Sequence, residues 1–435
     1  MSLIKTFKDK LNNIIYPTTH AKAVYVDKLD GTNTNLQNYL DNSVHSIPSG
    51  GIKDNVLKKK SGTDYDVEWG TVEGESPLKY ALKFSSDGAF YVVVSSPQWD
   101  GIIEYSTDNG NTWTTWTGSR LNGNASQPIY FRGTNNTIVA GRGGTDNWEF
   151  TGKYCTGNIE TLLDYQTVKN GGHPVMGENC YKFMFYYCRN LVIPPELPAT
   201  TLANWCYANM FEGCISLTTA PALPATTLAD FCYYMMFCDC GALTVAPELP
   251  ATTLANQCYA SMFSSTSIIL PPELPATTLV LGCYYCMFSH CASLIKIPEL
   301  PATTLAESCY QWMFGDCTSL TVLPKLPAKT LVDNCYYRMF RGCSNIKIST
   351  TQTGIYQYPF RIPFSGTGTA GAQYSLYEMF TSTGGTFTGE PTVNTTYYAD
   401  HPVGDNIEKN YGLPINPTSD MINNYENGAM WIVTQ

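Results

Sequence analysis

Residues 197–214 read LPATTLANWCYANMFEGC, and this stretch decides the fold because it recurs. The motif Leu-Pro-Ala-Thr/Lys-Thr-Leu begins at six positions with spacings of 26, 26, 25, 26 and 26 residues, at Leu197, Leu223, Leu249, Leu274, Leu300 and Leu326. A fixed period of this length is typical of repeat arrays, whose units stack because none can bury its own apolar face. The sequence therefore predicts a stack of about seven units over residues 171–349.

Each unit aligns as Cys-Tyr-x-x-Met-Phe-x-x-Cys, followed by a short run that ends in proline. The spacing of Tyr207, Met210, Phe211 and Cys214 is that of one helical face, so it predicts a turn of α-helix or 3₁₀-helix in each unit. The run SLTVLP at residues 319–324 predicts a short strand that pairs in parallel with its copies, about 4.8 Å per unit. Thr266, together with a residue lost between Phe263 and Leu274, predicts a local distortion in the fourth unit.

Thirteen of the sixteen cysteines fall into two rows with this period. One row is Cys180, Cys206, Cys232, Cys258, Cys283, Cys309 and Cys335, and the other is Cys188, Cys214, Cys240, Cys291, Cys317 and Cys343. Within a helical unit the two thiols would be about 12 Å apart, beyond the roughly 7 Å Cα limit of a disulfide. Buried free thiols are the simpler prediction, although pairing between units remains sterically possible. The five histidines show no zinc-ligand spacing against these cysteines.

The charge balance argues against a nucleic-acid partner. The formal net charge is -10, and the one basic run is Lys58-Lys59-Lys60, whereas phosphate binding needs a basic patch. Charged residues make up 14% of the chain, while tyrosine is abundant, which suits an adhesive, neutral polar surface. No stretch is long and apolar enough for a membrane span, and the first seventeen residues contain charges and no cleavage site, so neither insertion nor a secretion signal is expected.

The repeated motif resembles the leucine-rich repeats of the BspA type, which occur on bacterial surface proteins and on proteins of their phages. The resemblance rests on MFxGCxSLTxaPxLPATTLA and covers the repeat region. It implies a parallel β-solenoid used for attachment, and it brings no catalytic residues with it.

The first 45 residues carry four apolar positions at helical spacing, Leu3, Phe7, Leu11 and Ile14. They predict a helix that anchors the chain to another protein or to copies of itself, followed by a strand in AKAVYV and a second helix in NLQNYLDN. Residues 46–75 form a predicted linker, in which VLKKKSGTDYDVEW looks like the fold-back motif of bacteriophage fibre proteins. That likeness implies a homotrimeric fibre whose N-terminus contacts other virion proteins.

Residues 76–170 predict a small β-sandwich. Strand-length runs occur in AFYVVVSS, GIIEYSTDNGNTWTTW and PIYFRGTNNTIVAGR, and Asp108-Asn109-Gly110 is a hairpin signal. Three tryptophans, Trp99, Trp113 and Trp116, form either a carbohydrate platform or part of the core. Residues 350–435 predict a C-terminal cap or tip, in which Tyr377, Met379 and Phe380 retain part of the repeat pattern.

The candidate ligand-binding residues flank the repeated Cys-Tyr pair, where residue identity changes from unit to unit. They are Trp205, Phe231, Tyr234, Tyr285, Trp312 and Tyr337. Such rings either stack on sugars or peptide side chains, or cover a flank or an oligomer interface. Glu248, Glu273 and Glu299 form a stripe that is either hydrated or a cation or substrate site. The neighbours His290 and Cys291 are read as a chance pair, because Cys291 belongs to a buried row.

The sequence as a whole predicts a multidomain, mainly β chain in which an anchor and a β-sandwich precede a leucine-rich-repeat solenoid. The expected function is that of a structural bacteriophage fibre, located in the virion, which attaches to a glycan or protein of the host surface. No catalytic residue, metal or cofactor is expected. A bacterial surface adhesin of the same repeat type and a spike glycan hydrolase are the alternatives.

Overall fold

The computed structural model describes residues 78, 80–140, 147–370 and 373–404 in full, and the backbone of four short strands before them. The chain divides into two compact units, Met1–Pro77 and Leu78–Gln435. It is mainly β, with one α-helix in these described ranges, which confirms the predicted class.

The first unit contains two antiparallel strand pairs. Strand β1 (Phe7–Lys8) pairs with β2 (Ile14–Ile15), and β3 (Asn55–Lys59) pairs with β4 (Val67–Thr71). The helix predicted through Phe7 and Ile14 is therefore wrong at these residues. The consecutive β-branched side chains of Ile14 and Ile15 favour extended backbone. Leu3, Leu11 and the predicted second helix lie outside the described residues.

The second unit begins with two antiparallel sheets. The five-stranded sheet has the order β12-β5-β10-β7-β8, and the three-stranded sheet has the order β11-β6-β9. Their strands are β5 (Leu82–Ser85), β6 (Phe90–Val93), β7 (Ile102–Ser106), β8 (Thr114–Thr115), β9 (Leu121–Gly123), β10 (Ile129–Thr134), β11 (Glu149–Phe150) and β12 (Tyr154–Thr156). Strand and hairpin predictions are confirmed here, because β7 and β8 join through Asn109 and Gly110, both with positive φ.

Aromatic side chains hold the two sheets together. Phe84 of β5 contacts Phe150 of β11 edge to face, with 4.8 Å between ring centroids, and Phe131 of β10 lies 5.2 Å from Phe84. Helix α1 (Thr161–Lys169) packs on β10, where a Cβ on Gly133 would meet the Leu162 carbonyl oxygen. The buried core of this β module continues without a break into the repeats.

The repeats contain turns where helices were predicted. In the second unit of the array, the N–H of Cys206 donates to Ala203 O at 3.2 Å, whereas the N–H of Trp205 donates to Asp230 O of the next unit at 2.9 Å. This alternation of a local bond and a bond to the next unit runs through residues 205–214. Every N–H of the segment thus finds an acceptor without forming a helix.

A left-handed residue at every fourth position prevents the helix. Trp205, Asn209 and Gly213 have φ of 60°, 56° and 71°, and the corresponding three positions have positive φ in all eight units of the array. A left-handed residue ends an α-helix, so the prediction of a helical turn is wrong. The apolar residues recur with a period of four, at positions 206, 210 and 214 and at positions 207 and 211. Within one unit this pattern also contains offsets of three, four and seven residues, which are the offsets of a helical face.

This period divides each unit into buried and outer pairs of residues. Cys206-Tyr207 and Met210-Phe211 point into the core, as does Cys214, and all five are buried. Equivalent tyrosine rings of units 1–7, from Tyr181 to Tyr336, lie 5.4 to 6.0 Å apart with nearly parallel planes. The phenylalanines form a second column at 5.5 to 5.8 Å. Like side chains of successive units therefore stack on one another.

The thiols of the second cysteine row cap backbone carbonyls. Cys214 Sγ donates to Phe185 O of the preceding unit at 3.1 Å, and Cys240, Cys291, Cys317 and Cys343 do the same to their phenylalanines. All sixteen cysteines are free. Burial confirms the prediction for both rows and raises the pKa of these thiols, so they remain protonated and unreactive.

Parallel pairing between repeats is limited to single bridges, such as Thr201 to Thr227 and Thr227 to Thr253. The strand predicted at residues 319–324 is wrong, because this run has no strand assignment. The proline that ends the run lacks the N–H that a ladder requires.

The fourth unit absorbs its lost residue in one turn. Ser267 replaces a two-residue connection and donates to Gly241 O of the preceding unit at 2.7 Å, while Thr266 bonds to Phe263 O of its own unit. Phe263 still stacks on Phe288 at 5.7 Å, with the planes tilted by 14°. The predicted distortion is confirmed and is confined to this turn.

The array ends differently on its two sides. The β module covers the first unit, since the N–H groups of Val139 and Ala140 donate to Cys180 O and that of Trp148 donates to Met184 O. An eighth unit, Tyr374–Thr383, stacks on the seventh through Phe340 and Phe380 at 5.8 Å. Around it, a four-stranded sheet has the order β14-β16-β13-β15, with β13 (Lys347–Ser349), β14 (Tyr358–Arg361), β15 (Gly384–Gly385) and β16 (Thr396–Ala399).

Candidate ligand-binding face

The outer pairs of residues are 204–205, 208–209 and 212–213 in the second unit and their equivalents in the other units. They form one variable face along the array, which we call the outer face. At the first slot beside the Cys-Tyr pair, the eight units carry Asn179, Trp205, Phe231, Gln257, Gly282, Ser308, Asn334 and Tyr374. The buried pairs between these slots hardly change. The hydrogen-bonded turns therefore hold different side chains at fixed positions.

Three predicted residues form one cluster near the N-terminal end of this face. The rings of Trp205 and Phe231 are stacked with centroids 3.9 Å apart, and Tyr234 lies 5.7 Å from Trp205 and 5.9 Å from Phe231. Lys182 Nζ lies 3.9 Å from the Trp205 ring centroid, and desolvation lowers the pKa of this amine. All three rings are half-buried.

Two predicted residues belong to a second cluster, in which cations lie over rings. The guanidinium carbon of Arg338 lies 4.7 Å from the Tyr337 centroid and 5.5 Å from that of Trp312. Arg338 Nε and Arg341 also donate to Glu378 Oε2 at 2.7 and 3.0 Å. The hydrogen bond from Arg338 lowers the pKa of Glu378. Charge pairing and stacking together fix this cluster.

The sixth predicted residue, Tyr285, stands apart from both clusters. Its half-buried ring has a pKa raised to about 12, mainly by desolvation and then by neighbouring Cys286. Between Tyr234 and Tyr285 the fourth unit carries buried Ala260 at the matching slot. No ring at this slot therefore joins Tyr285 to the first cluster.

Sequence reasoning missed the charged partners of these rings. Lys182 occupies the same slot as Tyr234, and this alignment was sufficient to find it. Arg338 and Glu378 are 40 residues apart, because an insertion separates units 7 and 8. No fixed period reveals that pair.

The other candidate residues of the sequence are three glutamates and the pair His290 and Cys291. Glu248, Glu273 and Glu299 are exposed side chains, and the described residues contain no cluster of three metal-ligating side chains. Cys291 Sγ bonds to Phe263 O, while exposed His290 faces Asp316 at 3.6 Å. Cys291 and His290 thus contact different groups and do not form a nucleophile–base pair.

The tryptophans of the β module do not form an exposed platform. Trp116 is 2% exposed and stacks on half-buried Trp99 at 5.3 Å, so this pair belongs to the core. Trp113 is covered by Arg132, whose guanidinium carbon lies 4.1 Å from the ring centroid. The core interpretation is confirmed for Trp99 and Trp116, and the platform interpretation is wrong for these two rings.

No protein-family model, curated protein or solved structure matches the chain. Among the helices of the described part, none has the length and apolarity required to cross a bilayer.

Proposed function

We propose that this chain is a structural attachment protein whose repeats form a leucine-rich-repeat solenoid of the BspA type. Its outer face binds a glycan or a protein on the surface of a host cell. The observation that carries the proposal is the contrast between the two sets of positions: variable, half-exposed aromatic and cationic side chains stand on a nearly invariant hydrogen-bonded framework.

The physical argument is preorganisation. Trp205 and Trp312 are already held by ring stacking or by cations, so a ligand orders few additional rotamers when it binds. Partly exposed aromatic side chains pack well on sugar rings and apolar side chains.

We further propose that the chain acts in a virion, as a fibre anchored through residues 1–45 and assembled as a homotrimer. Three copies would multiply weak contacts, because tethered sites act at high effective concentration. This part rests on the likeness of residues 56–69 to fibre proteins. A bacterial surface adhesin with the same repeats is the alternative.

Binding of labelled full-length protein to a panel of bacterial cells tests the outer face. Trp312→Ala and Trp205→Ala are each expected to weaken binding at least tenfold, since buried tryptophan anchors contribute about 2 kcal/mol or more. Thr252→Ala and Thr277→Ala are the controls, because both threonines are exposed outside the outer pairs. Undiminished binding by both tryptophan variants, with melting temperatures unchanged, contradicts the assignment.

Two further measurements separate the alternatives. Release of reducing ends from the bound cell-surface glycan would show hydrolysis and overturn the non-enzymatic role. Deletion of residues 1–45 is expected to prevent incorporation into particles while cell binding persists. Normal incorporation of the shortened chain would refute the anchor.

A further inference from the structure

A cleft of about 330 Å³ lies where the β module meets the first repeat unit. Glu149 and Thr151 line it from the module, and Tyr186, Tyr187, Arg189 and Asn190 line it from the repeat. This volume lies in the range of small-ligand pockets, which is about 300 to 1,000 Å³.

Hydrogen bonds across the junction fix the walls of the cleft. Asn147 Nδ2 donates to Tyr186 O at 3.1 Å, and Asn190 Nδ2 donates to Thr151 O at 3.0 Å. The thiol of Cys188 donates to Trp148 O at 3.3 Å. Since each bond joins one wall to the other, the cleft is formed before any ligand enters.

The lining combines ring surface with free hydrogen-bonding groups. Tyr187 is 43% exposed and meets Tyr186 edge to face at 4.6 Å. Exposed Arg189 lies 5.5 Å from the Tyr187 centroid and pairs with no carboxylate among the described residues. Glu149 accepts a hydrogen bond from Tyr91, which raises the pKa of that phenol and leaves carboxylate lone pairs free.

We infer that this cleft binds one sugar unit at the end of a glycan that lies along the outer face. A pyranose ring presents an apolar face to a tyrosine and hydroxyl groups to a carboxylate, a guanidinium and amides, which is the set found here. Tyr186 and Tyr187 are themselves an outer pair of the first unit, so the cleft opens onto the outer face. The inference rests on the proposed attachment function, and it places the terminal sugar unit of the bound glycan in this cleft.

Full-length protein titrated with a panel of sugars tests the cleft. The panel contains hexoses, N-acetylhexosamines and uronic acids, each as monosaccharide and as tetrasaccharide, and binding is followed by ligand-observed NMR. At least one monosaccharide is expected to bind, and Tyr187→Ala and Arg189→Ala are each expected to weaken it at least tenfold. The controls Tyr358→Ala and Lys169→Ala remove similarly exposed side chains elsewhere and are expected to change nothing.

Trp205→Ala separates the cleft from the outer face. This variant is expected to retain monosaccharide binding and to lose affinity for the tetrasaccharide. Tetrasaccharide binding that depends on Trp205 and is indifferent to Tyr187 and Arg189 would overturn the cleft while leaving the proposed function intact. No binding by any member of the panel would overturn the sugar assignment.

Discussion

Replacement of Ser308 by glycine tests the backbone of the repeat most directly. Ser308 has φ of 57°, and its N–H donates to Asp333 O of the next unit at 3.0 Å. The same position of the preceding unit is Gly282, with φ of 55°. Gln311, three residues further on, has no positive φ and provides the matched control.

The two substitutions are expected to act in opposite directions. A left-handed residue with a Cβ costs about 1–2 kcal/mol, and glycine loses about 0.5–1 kcal/mol of chain entropy relative to alanine. Ser308→Gly should therefore stabilise the protein by about 0.5–1 kcal/mol, while Gln311→Gly should destabilise it by about 0.5–1 kcal/mol. In a helical unit both glycines would cost about 1 kcal/mol.

Urea unfolding followed by far-UV circular dichroism measures the difference. The midpoint of Ser308→Gly is expected to lie above that of the wild type, and Ser308→Val, with a β-branched side chain at positive φ, below it. Equal destabilisation by Ser308→Gly and Gln311→Gly would refute the alternating turns.

Three other predictions concern the array. Phe263→Ala removes a ring that stacks on Phe237 at 5.8 Å and on Phe288 at 5.7 Å, and it should lower the free energy of unfolding in urea by about 3–5 kcal/mol. Thr252→Ala, at an exposed position, should lower it by about 0.5 kcal/mol or less. Equal losses would contradict the stacked core. The amide of Ser382 has no acceptor among the described residues, whereas that of Gly342 donates to Thr381 O at 2.9 Å, so the Ser382 amide should exchange hydrogen faster. Equal rates would contradict the hydrogen bonding between units 7 and 8. Burial raises the pKa of the Cys343 thiol from 9.0 to about 12. The stability that this burial contributes is therefore complete below pH 9 and is lost as the pH rises to 12. A urea midpoint that stays constant over this range would count against the buried rows.

The stacking of the units was predictable from the sequence, but the backbone between them was not. The period of 26 residues and the recurrence of Tyr207, Met210 and Phe211 identify the side chains that meet their own copies. An amphipathic pattern cannot distinguish a period of 3.6 from one of four over nine residues. Aromatic residues at positive φ, such as Trp205 and Trp312, are uncommon, so residue type gave no sign of the left-handed positions.

The six aromatic candidates were predictable as a face, because their slots vary while the framework does not. Their division into two clusters depends on contacts between residues that are far apart in the sequence. Arg338 bonds to Glu378 because units 7 and 8 stack, and an insertion separates these units in the sequence. Glu149 and Arg189 both line the cleft, where the β module adjoins the first repeat unit. These two regions have different architectures, so no sequence pattern links the two residues.

The one-directional bonding of the units bears on how such a chain can change its length. The carbonyl groups of each internal unit accept hydrogen bonds from the amides of the preceding unit, and its own amides donate to the carbonyl groups of the next unit. Any two neighbours are therefore joined by the same backbone contacts. Duplication or loss of one 26-residue segment of the gene would leave both ends of the array as they are. The protein would gain or lose reach by one ring spacing, 5.4 to 6.0 Å, together with one row of variable side chains.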